Sequence, residues 1–421
     1  MRALAAMSLI LALLCAGTRA APEASRPALP LLPREAMVLA LEHHPALAAA
    51  RRRALGAREF AEGAGAQPNP ELRLAAVRGD PQESAQLLVQ RLEVGGQPGL
   101  RARAAGAEAQ AAFQDLLALQ RQVTSRAAVA YYDLWEAVQR TALARTRLEL
   151  ARELEETSRR RYEVGEISRH LHLLTELERS RAEAELASAE AQEEAARGTL
   201  NLLLGRPPQA ALELPLPSQD GAPQAPALPF PEPESLEALR REAPARPEVE
   251  SLQQRARAAR LEADLAARAA LPDLELAAYR SSLGPLAEEG VSLTLVAPLF
   301  DWGLLGAEQT RRRREAEARA LDAEARRLEV DLEIQAAWQV FQASRRRRGL
   351  LRAQVERYQS LAAMARRGYE AGLLGLVEVL ETERSFRQAV LDYVAAEAAY
   401  HRGLLEVRRA SGAPLLPQEA P

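Results

Sequence analysis

From residue 99 to residue 164 the chain has no proline, and no glycine beyond Gly106. Alanine, leucine, glutamate and arginine dominate, the composition of long helix or coiled coil. At 1.5 Å per residue an unbroken helix of this length reaches roughly 100 Å. No globular domain needs such a span, whereas a rod or the wall of a tunnel does. Leu143, Leu150 and Leu154 fall at i, i+7 and i+11 on it, a heptad-like stripe.

The pattern is written twice. Arg159–Ser180 reads RRRYEVGEISRHLHLLTELERS, and Ala365–Phe386 reads ARRGYEAGLLGLVEVLETERSF. Tyr162, Gly165, Thr175-Glu176 and Gly205 recur at an offset of 207 as Tyr369, Gly372, Thr382-Glu383 and Gly412. Val89 and Leu92 recur at that offset as Val296 and Leu299. Upstream the offset is 204, taking Pro68, Glu71 and Leu72 to Pro272, Glu275 and Leu276. Helices rich in Ala, Glu and Arg align by composition alone, so the Gly, Pro and aromatic matches carry the weight. Leu321, Leu328 and Leu332 repeat the heptad spacing.

Each half therefore predicts the same series. A helix (33–65, then 235–269) leads into two strands (68–78 and 85–94, then 272–282 and 290–300). A very long helix follows (99–164, then 303–370), broken at Gly165 or Gly372, and a further helix runs to 204 or 411. The first repeat covers 21–205, the second 235–412, with a tail at 413–421. Between the repeats, 206–234 is too rich in proline for a helix and reads as a linker or short edge structure.

The strands alternate: Leu293 and Leu295 face one way, Ser292 and Thr294 the other. About ten residues is the span of a transmembrane strand. Four strands cannot close a barrel, and lipid does not tolerate an open sheet edge. Three copies bring twelve strands, within the range of known barrels. The alternative is an ordinary sheet on a soluble periplasmic coiled-coil scaffold or adaptor.

The N-terminus reads as a signal peptide over 1–20. Arg2 precedes an apolar run, and Thr18-Arg19-Ala20 offers cleavage after Ala20. The only cysteine, Cys15, lies inside it and follows Leu14, where lipoprotein processing needs a small residue. Lys and Arg number 55 against 58 Asp and Glu, a net charge of −3 that argues against a nucleic-acid partner. The runs Arg311–Arg314 and Arg345–Arg348 are expected to be solvated or paired between helices. His43-His44 and His170/His172 point apart on a helix, so neither pair clamps a metal. No nucleophile–base pair or phosphate loop stands out, and neither an enzyme nor a cofactor is expected.

In order along the chain, HHPALAAARRRA (43–54), QPNPELRL (67–74), LEVGGQPGLR (92–101), AVAYYDLWEA (128–137), the two Tyr-x-x-Gly breaks and APLFDWG (297–303) resemble the TolC family of outer-membrane efflux channels. The QPNPEL and LEVGG segments look most like its CzcC-type branch for heavy-metal and cation efflux. The resemblance covers nearly the whole mature chain. It implies a mainly α fold with a small β part: a homotrimer with a 12-stranded β-barrel in the outer membrane, standing on an α-helical tunnel through the periplasm. It implies a periplasmic adaptor (a membrane fusion protein) and an inner-membrane pump of the resistance-nodulation-division type as partners.

The two breaks match the family's periplasmic tips, where Val164, Gly165, Ala371, Gly372 and Leu373 fall on adaptor-docking positions. Glu378 and Glu381 match acidic residues that ring the closed mouth; in the first repeat those positions are Leu171 and Leu174. Tyr369 matches a tyrosine that helps to hold the mouth shut, whereas Leu374 stands where the family has an arginine. Trp302, beside Asp301 at a strand end, is a candidate anchor at the bilayer interface.

Overall fold

The computed structural model describes residues 31–76, 84–215, 223–242, 246–281, 288–298, 300, 302–371 and 373–416. The expected signal peptide with Cys15 lies outside them. The described elements run α1 (Pro33–His43), α2 (Pro45–Gly63), β1 (Glu71–Ala76), β2 (Ser84–Leu92), α3 (Gln97–Glu163), α4 (Arg169–Leu203), α5 (Leu236–Glu242), α6 (Pro247–Arg268), β3 (Asp273–Ser281), β4 (Glu288–Val296), α7 (Leu304–Glu370) and α8 (Leu376–Ser411).

Both long helices are 67 residues, about 100 Å at the α-helical rise. Gly96 (φ 80°) and Gly303 (φ 86°) stand just before them, 207 residues apart, and Gly205 (φ 69°) and Gly412 (φ 78°) close α4 and α8 at the same separation.

The helix expected over 33–65 is two helices. Pro45 opens α2, and its ring holds His44 in extended backbone (φ −68°, ψ 120°), so α1 stops there. In the second half Arg246 is likewise extended (φ −68°, ψ 134°) before Pro247, which opens α6. The strands are shorter than expected. Pro68 and Pro70 cannot donate to a ladder, so β1 starts at Glu71, and β4 ends at Val296 ahead of Pro298. Residues 77, 78, 282 and 299 of the expected strands lie outside the described residues.

The four strands form one antiparallel sheet in the order β1-β2-β3-β4. The two hairpins, one from each repeat, are joined through β2 and β3, with Leu88 opposite Ala278 and Leu92 opposite Leu274. Near the sheet α3 packs on α2 and α6, and α6 on α7; farther along, α3 packs on α4 and α7 on α8, with α3 against α8 joining the two pairs. The main core sits midway along the long helices, around Met37, Leu47, Tyr131, Tyr132, Leu200, Phe341 and Leu405, all under 2% exposed. Toward the tips it thins to seams such as Leu148–Ala151–Ala182.

The proline-rich segment between the repeats is tied to this core. Leu228 is buried in it, Tyr132 Oη donates to Pro226 O (2.7 Å), and Tyr400 Oη donates to Glu232.

The stripe Leu321, Leu328, Leu332 is not a seam within the chain: these side chains are 65%, 70% and 68% exposed. The face that α7 turns inward is built instead of Ala316, Ala323, Ile334, Ala337, Phe341 and Val355, all buried. Small residues there let α6 and α8 approach closely, and the leucines are left on the other side.

Candidate functional site

The sheet presents two unlike faces. Pairing sets Leu72, Leu88, Ala278 and Val291 in one row, and Leu92, Leu274 and Leu295 in another, with Leu276 opposite Leu293 between them. Leu72, Leu74, Leu293, Leu295 and Val291 are 63–74% exposed. At the hairpin end the same face turns polar, where Gln86, Arg280 and Glu289 align and Arg280 pairs with Glu289 at 3.2 Å. The opposite face carries Glu71, Arg73, Arg91, Asp273, Glu275, Ser292 and Thr294, interspersed with Leu87, Val89, Ala277, Tyr279 and Val296. An exposed, leucine-rich face backed by one that carries most of the charges of the sheet is unusual for a soluble sheet and is the pattern of a barrel wall. Among the described residues, β1 and β4 each pair on one side only.

Where the sheet meets the helices, a polar collar fixes the angle. Arg91 donates from Nε to Asp273 (2.9 Å), Gln97 reaches the same carboxylate, and Arg101 pairs with Glu93 (2.6 Å). Trp302 lies just past β4, 99% exposed and at φ 54°, with exposed Phe300 and Leu304 beside it. A bulky residue in the left-handed region is strained.

The far ends of the long helices turn through matching geometry. After α3, Glu166 N donates to Arg161 O at 2.8 Å; after α7, Leu373 N donates to Gly368 O at 2.8 Å, the same bond 207 residues on. Gly165 takes φ 78°, which closes α3 in a Schellman turn. Val164 is 71% exposed and Leu373 80%, and Ala371 is exposed too. Gly372 and the side chain of Tyr369 lie outside the described residues. Gly368 answers a local need: a Cβ there meets Leu374 Cδ1 at 2.8 Å.

The tips start their second helices differently. In the first, Ser168 Oγ accepts from Leu171 N (3.5 Å); in the second, Glu378 Oε2 accepts from Gly375 N (3.0 Å). These are the two reciprocal halves of one capping box, one in each repeat. Glu378 thus has a local structural task. It and Glu381 are both exposed, and Glu381 lines a shallow groove with Tyr358, Leu361 and Met364.

Two arrangements escaped sequence reasoning. At the second tip Arg366 donates to Glu383 (2.6 Å), a carboxylate only 8% exposed, so the pair braces α7 on α8. Glu383 belongs to the repeated Thr-Glu pair, which was the available signal. Midway along the bundle, Glu397 is 1% exposed and takes Arg348 Nε at 2.5 Å and Tyr393 Oη at 3.0 Å, with His401 Nε2 3.5 Å away. Burial works to raise the Glu397 carboxyl, but His401 and Arg348 beside it hold it below the ordinary carboxylate value. Arg348 lies 49 residues from Glu397 in sequence, and nothing local marks the pair.

In the arginine runs, Arg311, Arg312 and Arg314 pair with Glu308, Glu262 and Glu317, and Arg345 with Glu232. Among the described residues no three His, Cys, Asp or Glu are grouped to hold a metal, and no helix is long and apolar enough to cross a membrane.

Residues 239–413 match the outer membrane efflux protein family. No curated protein matches the chain in sequence. Among solved structures, the CmeC outer membrane channel of Campylobacter jejuni is 16% identical with a TM-score of 0.75, over 90% of this chain and 85% of that one. A membrane protein from Pseudomonas aeruginosa is 20% identical with a TM-score of 0.76, over 93% and 100%. The outer membrane protein VceC of Vibrio cholerae is 20% identical with a TM-score of 0.73, over 91% and 97%. The chain has the fold of these proteins, long helices and strands together.

Proposed function

We propose that three copies of this chain form the outer-membrane exit duct of a tripartite efflux system. The observation that carries this reading is the sheet: an exposed leucine-rich face, a face behind it that holds most of the charges of the sheet, and two edges each paired on one side only among the described residues. Three such sheets joined edge to edge make a closed barrel of twelve strands, with the apolar face toward lipid and the polar face toward the lumen. Trp302 and Phe300 then sit at the inner boundary of the membrane, where aromatic side chains anchor. The exposed leucines of α7 pack on the next copy, which gives the second heptad stripe its partner. A soluble scaffold or adaptor has no use for such a sheet face.

Conduction is passive in this reading, and the energy comes from a pump in the inner membrane. The adaptor docks on the tips around Val164, Gly165, Ala371, Gly372 and Leu373, which are exposed where described. The cargo is a metal cation, in line with the resemblance of QPNPEL and LEVGG to the CzcC-type branch. Glu378 and Glu381, repeated three times, make two carboxylate rings that favour cations, and Glu378 also caps its helix. Tyr369 belongs to the same mouth.

The test is to fractionate cells expressing the full chain and to run the outer-membrane fraction unheated and heated. A band near three times the chain mass that collapses on heating supports the trimer, and a soluble periplasmic monomer refutes it. For the cargo, E378Q/E381Q is expected to lower cation selectivity in mixed-salt conductance, and an unchanged selectivity overturns the ring.

A further inference from the structure

Where α3 and α4 of the first repeat meet α8 of the second, a cavity of about 150 Å³ is walled by Arg140, Arg147, Glu185, Arg384, Arg387 and Gln388. Four guanidinium groups share it with one carboxylate. Arg140 is answered by Glu136 (2.7 Å), and Arg147 by Glu185 and Glu178. Arg384 and Arg387 form no ion pair among the described residues. Their nearest acidic neighbour in sequence, Glu383, is engaged by Arg366 at 2.6 Å.

Elsewhere along the bundle many arginines have a glutamate beside them, whereas this cavity gathers four guanidinium groups around one carboxylate. Burial, with Arg147 and Arg384 nearby, pushes the Arg387 guanidinium below its ordinary value, and Glu383 and Glu178 offset this only in part. Like charges gathered around one cavity, with Arg147 and Arg387 half-buried, are costly without a counter-ion, and planar guanidinium groups suit tetrahedral oxyanions with paired N–H donors. The cavity has room for several waters, and so for a small ion the size of phosphate.

We propose that this cavity binds a small free oxyanion of the phosphate or sulfate class, held by Arg384 and Arg387 with Arg147, and with Gln388 as a neutral donor. The bound ion links α3 of the first repeat to α8 of the second, so it stiffens the junction between the two helix pairs. The proposal does not depend on conduction through the chain.

The test uses the full-length protein purified in detergent. Thermal unfolding is followed by circular dichroism while phosphate, sulfate or acetate replaces chloride at constant ionic strength. The expected result is a rise in Tm with phosphate and sulfate that grows with the logarithm of concentration, little rise with acetate, and loss of the response in R384Q/R387Q at unchanged helicity. An acetate response equal to that of phosphate points to a carboxylate from a partner protein as the natural occupant and overturns the proposal. So does an equal phosphate response in the double variant, or none in the wild type. Because Arg384 is exposed, R384Q alone gives a second measurement that does not strain the fold. It is expected to weaken phosphate binding about tenfold, and unchanged affinity refutes the site.

Discussion

Replacing Leu293 with arginine tests the assignment of the sheet faces most directly. Leu293 lies in the middle of β4, opposite Leu276, and its side chain is 68% exposed in a single chain. Its neighbour Ser292 points to the other face, opposite Ala277. If the leucine face meets lipid, an arginine near mid-depth costs about 2–4 kcal/mol per copy. The same arginine at Ser292 enters a polar lumen and costs within about 0.5 kcal/mol. Each 1.4 kcal/mol is about tenfold in an equilibrium, so L293R should lower the yield of heat-modifiable trimer in the outer membrane by at least about thirtyfold, while S292R leaves it near wild type. The readout is the trimer band in unheated membrane fractions, normalised to total chain. Equal yields for the two variants, or a larger loss with S292R, would falsify the face assignment and with it the barrel.

Four further outcomes follow from the packing. E397Q leaves Arg348 without its buried partner and should cost about 3 kcal/mol, measured as a drop in Tm. Because the Glu397 pKa is depressed in the fold, the advantage of wild type over E397Q should be full above pH 4.5 and shrink as pH falls below it; a constant gap refutes this. Burial, joined by Glu397, pushes Tyr393 up to about 12, and burial raises Tyr131, Tyr132 and Tyr400 as well. The native state then holds protons that the unfolded chain releases above about pH 10, so stability should decline from there and these four tyrosines should ionise only with the loss of helical dichroism. G165A, with open space around its Cβ, should cost about 1 kcal/mol for the left-handed backbone alone. G205A also drives its Cβ to 2.7 Å from His43 O and should cost about 2–4 kcal/mol; denaturant unfolding showing the reverse order rejects the reasoning. L321S/L328S/L332S should leave the dichroism of the chain intact yet abolish the trimer band, because each leucine buried in an interface contributes about 1.5–3 kcal/mol.

Much of the fold was legible because helices of this length are governed by local rules. The absence of proline over 99–164 and 303–370 set α3 and α7 to within a few residues. The repeat at 207 carried over to backbone detail, down to the matched turn bonds at Glu166 and Leu373. Prolines mark the departures: Pro45 and Pro247 each force the preceding residue out of the α region inside an expected helix, and Pro68, Pro70 and Pro298 lie outside the strands they were expected to join. At the candidate mouth, composition could not separate a carboxylate facing a pore from one capping a helix, and Glu378 does cap one. The arginine pocket was invisible in sequence, since its members come from three helices and Arg147 and Arg387 are 240 residues apart.

By itself the sequence determined the elements: two long helices per repeat, two short strands, a glycine turn between helices, and the alternation that gives each strand an apolar and a polar side. These depend on contacts within a few residues, or on a period of two or 3.6. Only the tertiary structure decided which stripe faces what. The leucine stripe of α7 looked like a seam, but α6 and α8 pack on its alanine side and leave the leucines outside. Periodicity reports that a face is apolar, but not who covers it. The partner of a face depends on how closely helices approach, and that is set by the smallest side chains between them.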